Sequence, residues 1–271
     1  MKFFATQIAA ALLAVSSVTN AAILPRDDTN QQGQQGDATT QYPNNTNVQS
    51  LNGTWFLTAV TSNVWDAYTS IAGKMNVNVD CLQLNLTGSS NSTLDLLGSA
   101  FLNRTSSGAG LNATAAAALL LQPPTGDLNV TAHDLAWSAY TSQVFVNKAQ
   151  WDNFTSNGQS NQNASESGSM AIPGSRPMQA TVYTRLIDSN AQPGSTDSTN
   201  YDTIFVWGSH ASVINDGGNT NTKRADTIYG AILSRSSSVS QDTFNKTLTL
   251  LPPSVNNTSI VLLSDTCNVN H

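Results

Sequence analysis

The residue types that perform catalysis are sparse in this chain and do not form catalytic patterns. Its 271 residues include three histidines, His133, His210 and His271. None stands at metal-ligand spacing from a second ligand, and in a strand the neighbours His133 and Asp134 would point to opposite faces. The sequence contains no Gly-x-Ser-x-Gly nucleophile elbow, and Gly208-Ser209-His210 ends a predicted strand. The histidines therefore predict neither a metal site nor a serine hydrolase.

The carboxylates are equally uninformative as catalysts. Glycoside hydrolysis requires two carboxylates flanking the scissile bond, yet Glu166 is the only glutamate and lies in a Ser/Asn/Gly-rich stretch. The other acids are aspartates in turns or at strand ends, such as Asp188 and Asp216. A phosphate-binding glycine loop is also missing. We predict no catalytic residue, no metal and no cofactor, which favours a binding protein and leaves the enzyme alternative open.

The first segment of the chain has the pattern of an export signal. Lys2 precedes a short apolar run, Ile8 to Val15, and Thr19 and Ala21 supply small residues at a cleavage site. Residues 1–21 are therefore predicted to be a signal peptide, residues 22–47 a disordered polar tail and residues 48–271 the folded domain. We expect a secreted, extracellular protein.

Two cysteines, Cys81 and Cys267, stand far apart in the sequence. In an oxidising compartment, one disulfide that closes a long loop is the first interpretation. Two free thiols and a metal site are the alternatives.

The charge pattern limits the class of partner. The formal net charge is −6 and charged residues make up only 10% of the chain. An acidic surface does not favour nucleic acid or anionic membrane as a partner, and no segment after the leader is long enough to predict stable membrane insertion.

Twelve N-x-S/T sequons predict a heavily glycosylated protein if the chain is exported, although composition alone generates some sequons by chance. Glycans would also offer contact with a cell surface or cell wall. The candidate sites are Asn44, Asn52, Asn85, Asn91, Asn103, Asn112, Asn129, Asn153, Asn163, Asn245, Asn256 and Asn257.

The folded part is dominated by alternating, strand-like segments. Eight candidate strands are predicted, over residues 55–63, 81–88, 92–103, 127–137, 139–149, 178–188, 201–210 and 227–236. Loop insertions are expected near 106–125, an alanine- and leucine-rich run that could be a helix or a loop, and near 155–177. One helix is predicted over residues 238–251, with a capping-box-like Ser238 and Gln241.

This order of elements predicts the fold class. Sequential antiparallel strands are best protected when the sheet closes on itself, because closure removes exposed edges. We predict an all-β, eight-stranded antiparallel up-and-down barrel with one C-terminal helix docked on it. A β-sandwich is the alternative.

Three short motifs resemble those of the lipocalin family. Gly53-Thr54-Trp55 opens the first predicted strand, Asn200-Tyr201-Asp202 introduces the seventh, and Arg235 closes the eighth. The resemblance implies that Arg235 packs across Trp55 at the closed end of a barrel. It also implies a disulfide between the second strand and the C-terminal segment, where Cys81 and Cys267 lie.

The resemblance implies a function as well, namely reversible binding of a small hydrophobic molecule inside the barrel. Alternation predicts which residues line the cavity: Leu57, Ala59, Leu84, Leu86, Tyr229, Ala231 and Leu233. A filled core without a cavity is the alternative. Two other functions stay open: an isomerase or cyclase that uses Tyr229 or Tyr183, and a cell-wall or surface glycoprotein with the barrel as scaffold.

Overall fold

A computed structural model describes ten segments of the chain: residues 48–90, 92–122, 134–156, 168–172, 175–189, 201–213, 224–252, 255, 259–263 and 267. The predicted signal peptide, residues 1–21, and the predicted tail, residues 22–47, lie outside this part of the chain.

Ten strands and three α-helices follow a short 3-10 helix, Val48–Leu51, in the described segments. The elements are β1 Gly53–Thr61, α1 Ser62–Met75, β2 Val77–Ser90, β3 Thr93–Arg104, β4 Gly110–Gln122, β5 Asp134–Asn147, α2 Lys148–Thr155, β6 Ser169–Ala171, β7 Met178–Ile187, β8 Thr203–Val213, β9 Arg224–Ser234, α3 Gln241–Thr249 and β10 Ile260–Leu262. None of these helices is both long and apolar enough to cross a bilayer.

The strands form one closed antiparallel sheet. The order of pairing is β1-β2-β3-β4-β5-β7-β8-β9, and β9 pairs back onto β1, with Leu57 opposite Leu233. The short strands β6 and β10 add to β5 and β1 respectively. The predicted eight-stranded antiparallel barrel with a C-terminal helix is therefore confirmed.

The prediction of an insertion near 106–125 is wrong over most of its length, because residues 110–122 form strand β4. Leu111, Ala113, Ala115 and Ala117 are buried at every second position. The run pairs with β3 along its whole length and with β5 on the other side. Two partner strands and a buried face override the helical preference of alanine, a weak bias that tertiary contacts commonly overcome.

The predicted strands 127–137 and 139–149 are also corrected. Residues 134–147 form a single strand, β5, that continues through Ser138 without a turn, whereas residues 127–133 lie outside the described segments. The total of eight barrel strands was correct because one strand was missed and another was divided in two. In the second predicted insertion, 155–177, the structure shows β6 paired with β5 near Phe145, and residues 157–167 are not described.

A β-bulge in β1 changes which side chains face inward. Leu57 pairs with Leu233 but the next partners are Ala59 and Ile232, so Thr58 is the extra residue. Because a shift of one residue reverses the face of every later side chain, Trp55 and Leu57 pack on the inner core while Ala59 joins a cluster on the outer surface.

Two of the three helices were not predicted as such. Residues 62–75 form α1 and residues 148–155 form α2, which begins at Asn147, whose side chain accepts a hydrogen bond from the Gln150 backbone N–H. The predicted C-terminal helix is present but shorter, over Gln241–Thr249. Its N-cap is Ser240, which accepts from the Thr243 N–H, and not Ser238.

Helix α3 covers a second core on the outside of the barrel. Phe244 and Leu251 pack there against buried side chains of β1, β5, β7, β8 and β9, namely Ala59, Ala136, Tyr183, Ile187, Phe205, Trp207 and Ile232. The rings of Tyr183 and Phe205 stack on Trp207 at centroid distances of 5.7 and 5.3 Å. These three aromatic residues therefore belong to the outer core.

A buried ion pair joins this outer core to the barrel wall. Arg185 on β7 donates to both carboxylate oxygens of Asp134 on β5, at 2.6 and 2.8 Å, and Asp134 is fully buried. The same guanidinium donates to the carbonyl of Leu250 at 3.2 Å, at the C-terminal end of α3. The pair thus connects two barrel strands and the helix.

Removing one member of a buried pair leaves an uncompensated charge, which costs about 3–5 kcal/mol. We therefore expect Asp134→Ala to lower the free energy of unfolding by that amount in urea denaturation. Lys148→Ala is the control, because the Lys148–Asp152 pair is exposed and its loss should change stability by about 0.5 kcal/mol or less. Equal effects in the two variants would contradict the role assigned to Asp134.

Candidate functional site

The barrel contains an apolar cavity. Its volume is about 80 Å³. Two threonines are the only polar residues among the described residues that line it. The wall consists of Leu51, Leu84, Leu86, Leu94, Leu96, Ala117, Leu119, Trp137, Ala139, Thr141, Val182, Thr184, Leu186, Ile204, Val206 and Leu233.

The seven residues predicted to line a cavity divide into three groups. Leu84, Leu86 and Leu233 lie in its wall. Leu57 packs on the inner core without lining the cavity, and with Tyr229 and Ala231 it also contacts a small cluster under α1. The prediction for Ala59 is wrong because the bulge after Leu57 turns this residue outward.

The alternative catalytic residues do not reach the cavity. Tyr183 is stacked on Trp207 in the outer core, and Tyr229 packs with Val60, Val64 and Trp65 under α1. Neither tyrosine lies in the cavity wall.

Sequence alternation left most of the wall unassigned. Leu94 and Leu96 on β3 face inward at every second residue, in phase with Leu84 and Leu86 on β2. Part of that signal was present in the sequence, because Leu94, Asp95 and Leu96 alternate, but Leu97 follows Leu96 directly and obscures the pattern. On β8 both faces are buried, so alternation could not show that Ile204 and Val206 point inward while Phe205 and Trp207 point outward.

One hydrogen bond introduces polarity into the wall. The Trp137 indole N–H donates to the Thr184 hydroxyl oxygen at 2.9 Å, and both side chains are buried. Within the described part of the chain, this is the one hydrogen bond of the Thr184 hydroxyl, and the hydroxyl is its acceptor. A hydroxyl also donates, so Thr184 can offer its proton to a molecule in the cavity.

Two helices cover the barrel end at which β1 finishes. Val64 and Trp65 of α1 pack on Val60 and Tyr229, and the Asn63 amide donates to the carbonyl of Ile228 at 2.9 Å. Phe154 of α2 joins the inner core, and its carbonyl accepts from Arg104 at 2.6 Å. A ligand entering the cavity from this end would therefore have to pass α1 and α2.

The opposite end is built around Trp55 and Arg235. The Arg235 guanidinium carbon lies 3.7 Å from the centre of the Trp55 ring, a cation–π contact. The guanidinium donates to the carbonyls of Asn52 and Ser50 at 2.7 and 2.9 Å, and the Trp55 N–H donates to the carbonyl of Leu51 at 2.8 Å. Burial lowers the pKa of Arg235 from its usual value, but a guanidinium stays charged in a protein.

Gly53 is required by this arrangement. Its φ is +106°, a conformation that L side chains rarely adopt. A Cβ at this position would also stand 2.9 Å from a guanidinium nitrogen of Arg235. The glycine two residues before Trp55 therefore leaves space for the arginine that stacks on that tryptophan.

Tyr201 and Asp202 lie beside the same end. The Asp202 carbonyl accepts from the Arg235 N–H at 3.0 Å, and the Asp202 carboxylate accepts from the Ser189 N–H and hydroxyl. Tyr201 packs against the inner core. Burial raises the pKa of the Tyr201 phenol, and the charge of Asp188 adds to the rise. Asn200 is outside the described residues.

The predicted disulfide is confirmed: Cys81 is bonded to Cys267 across 186 residues of sequence. Cys81 has a φ of 46° and stands where the pairing of β2 with β3 shifts register. The bond fixes the first half of β2 to the C-terminal segment.

The candidate glycosylation sites differ in their surroundings. Asn85, Asn112, Asn153 and Asn245 are exposed. Asn52 is exposed, but its amide already bonds Gln49 and Gly88. Asn103 is half-buried, and its amide oxygen is buried without a hydrogen-bond partner in the described structure. The other candidates lie outside the described residues, namely Asn44, Asn91, Asn129, Asn163, Asn256 and Asn257.

Most of the catalytic candidates in the sequence lie outside the described residues. His210 lies on β8 and Asp188 follows β7, while His133, His271, Glu166 and Asp216 are not described. Within the described segments, no three His, Cys, Asp or Glu residues lie close enough to hold a metal ion.

Comparison with known proteins adds little. No protein-family model matches the chain, and a search of curated proteins finds no match. A solved structure titled "Biogenic amine-binding protein selenomethionine derivative" is 10% identical, covers 78% of this chain and 77% of its own, and has a TM-score of 0.34. That similarity is too low to indicate a fold or a function for this chain. The class of this protein therefore comes from its structure, which is a closed antiparallel β-barrel with an internal apolar cavity.

Replacing Gly53 tests the end of the barrel that contains Trp55 and Arg235. We expect Gly53→Ala to lower the free energy of unfolding by about 1–3 kcal/mol through backbone strain alone, and Arg235→Ala by about 2 kcal/mol through lost partners. Because the Cβ added by Gly53→Ala would also displace Arg235, the double variant should lose less than the sum of the single losses in urea denaturation.

Gly73→Ala is the matched control. Gly73 lies in α1, and a Cβ there meets nothing within 4 Å, so the variant should gain up to about 1 kcal/mol from helix propensity. Strictly additive losses for Gly53→Ala and Arg235→Ala would contradict the steric coupling.

Proposed function

We propose that this chain is a secreted, lipocalin-like protein that binds a small uncharged apolar molecule reversibly inside its barrel. The observation that carries the proposal is the cavity inside the barrel, whose wall is apolar apart from Thr141 and Thr184. Concave, mostly apolar sites with few polar groups are typical of small-molecule binding. Burial of apolar ligand surface would supply the affinity, at roughly 25 cal/mol per Å² before the costs of association.

The apolar composition of the cavity wall favours an uncharged ligand. Transfer of an ionised group into an apolar site without a partner costs many kcal/mol. No acidic or basic side chain occurs among the described wall residues. An uncharged ligand is therefore favoured over an amine cation or a carboxylate.

The size of the cavity favours a small ligand. About 80 Å³ is available to a water-sized sphere, and one water needs about 10–15 Å³ of such space. The volume suits a short-chain ketone or a single small ring. Small residues make this room, because Ala117 and Ala139 stand in the wall among leucines.

Thr184 gives the ligand an orientation. One lone pair of its oxygen accepts from the Trp137 N–H, and its hydroxyl proton can donate to a ligand. A ligand with one acceptor, such as a carbonyl oxygen, directed at Thr184 would use that proton, while the rest of the ligand contacts leucines.

Export is supported by two features. The Cys81–Cys267 disulfide is typical of oxidising compartments. The sequons Asn85, Asn112 and Asn245 lie on exposed surface, as an occupied sequon must.

Three six-carbon molecules with matched chains test the proposal: hexan-2-one, hexylammonium and hexanoate. Saturation-transfer NMR and calorimetry on the full secreted protein should show binding of the ketone, with dissociation constants at least about tenfold weaker for both ions. Equal binding of hexylammonium would contradict the charge argument. Failure of all three to bind would indicate a filled barrel.

Thr184→Val tests the orientation. The ratio of affinities for hexan-2-one and its isosteric alkene 2-methylhex-1-ene should fall about two- to tenfold, the equivalent of one hydrogen bond. Thr181→Val is the matched control, since Thr181 is exposed on the other face of the same strand. An unchanged ratio in Thr184→Val would show that the ligand does not use this hydroxyl.

A further inference from the structure

The outer surface of the barrel is covered unevenly. Helix α3 and the segment after it pack over β1, β5, β7, β8 and β9. On the outer face of β3, β4 and β5, four large apolar side chains are exposed: Leu97 at 50%, Leu120 at 38%, Tyr140 at 43% and Phe145 at 38%. We call these four residues the bare face.

The bare face extends across the three strands, and the exposed Asp95 of β3 lies within it opposite Ala118. Leu97 on β3 pairs with Ala116 on β4, whose side chain is also exposed. Ala118, next on the same face of β4, pairs with Tyr140 on β5. Contiguous exposed apolar surface on a soluble protein generally indicates a surface that something covers.

Two exposed sequon asparagines stand in register with this surface. Asn85 on β2 is the direct partner of Leu97, and Asn112 on β4 is the direct partner of Phe101, which is half-buried on the outer face of β3. Directly opposed residues in an antiparallel pair share one face, with Cβ atoms about 4.5–5.5 Å apart. A group attached to the Asn85 amide nitrogen therefore starts beside Leu97. One attached to Asn112 starts two residues along β4 from Thr114, which pairs with Phe145 of the bare face.

We propose that N-linked glycans on Asn85 and Asn112 cover the bare face. Asn85 begins the sequon Asn85-Leu86-Thr87, in which Leu86 points into the cavity while both polar residues point outward. Asn112 begins Asn112-Ala113-Thr114 with the same alternation. In each strand the sequon therefore presents its asparagine to solvent and buries its middle residue.

The modification is a group transfer from a lipid-linked oligosaccharide diphosphate. The asparagine Nδ2 forms a bond to the anomeric carbon of the first N-acetylglucosamine, and the bond from that carbon to the phosphate oxygen breaks. The amide loses one proton, and the lipid diphosphate leaves. The first sugars then lie over Leu97 and Phe101, where their C–H surfaces remove apolar area from water.

This inference requires export but not ligand binding, so the two proposals can fail separately. The experiment uses the full chain secreted from a eukaryotic host. Peptide-N-glycosidase converts each occupied asparagine to aspartate, and peptide mass spectrometry then shows occupancy. We expect Asn85 and Asn112 to be occupied.

The covering is tested with Asn85→Gln, Asn112→Gln and the double variant. Fluorescence of an anilinonaphthalene dye and light scattering should rise several-fold in the double variant. Asn245→Gln, which removes a sequon on α3 away from the bare face, should leave both signals unchanged. Leu97→Thr added to the double variant should reduce the signals towards the wild-type values, which separates an exposed surface from misfolding.

Three results would overturn the inference. One is an unmodified Asn85 or Asn112 in the secreted protein. Another is a double variant whose dye signal equals that of Asn245→Gln. The third is a fully glycosylated wild type that is dimeric and becomes monomeric with Leu97→Thr, because a second copy would then occupy the bare face.

Discussion

Closure of the sheet between β1 and β9 is the constraint on which the other features depend. It defines an inside and an outside, and the bulge at Thr58 adjusts β1 so that Leu57 faces inward while Ala59 meets the outer core. Strand β9 continues into Arg235, whose guanidinium returns over Trp55 at the start of β1. The two closing strands are thus joined by backbone pairing along their length and by one cation–π contact at the end.

Closure also allows the two cores to serve different purposes. The outer core under α3 contains large rings in mutual contact, and the bidentate Asp134–Arg185 pair fixes its edge. Because this core and the Trp55–Arg235 contact stabilise the barrel, the inner core can keep an unfilled space. Inside, leucines face alanines on β4 and β5, and this difference in side-chain volume leaves the cavity.

The parts of the fold that were predictable are those where burial is one-sided. On β2, Leu84 and Leu86 are buried while Asn85 is exposed, so alternation showed the inward face. On β8, Phe205 and Trp207 are as buried as Ile204 and Val206, so the sequence does not alternate between apolar and polar residues and cannot show which face is inward. The one-residue bulge at Thr58 leaves no pattern in the sequence, because Thr58 lies between apolar neighbours. Alternation therefore placed Ala59 on the inner face, whereas it lies in the outer core. The alanine run of β4 looked helical because only its partner strands make it a strand.

The low content of charged residues affects both the surface and the interior of the barrel. Charged residues make up 10% of the sequence, against about 25% in an ordinary globular protein, and one of the two ion pairs described here is buried. Soluble proteins usually keep apolar surface apart with such charges. Where Leu97 and Tyr140 are exposed, the residues paired with them are asparagine, alanine and glutamine, all of them uncharged. The glycans proposed on Asn85 and Asn112 would hydrate this surface without adding charge, in keeping with the uncharged ligand proposed for the interior.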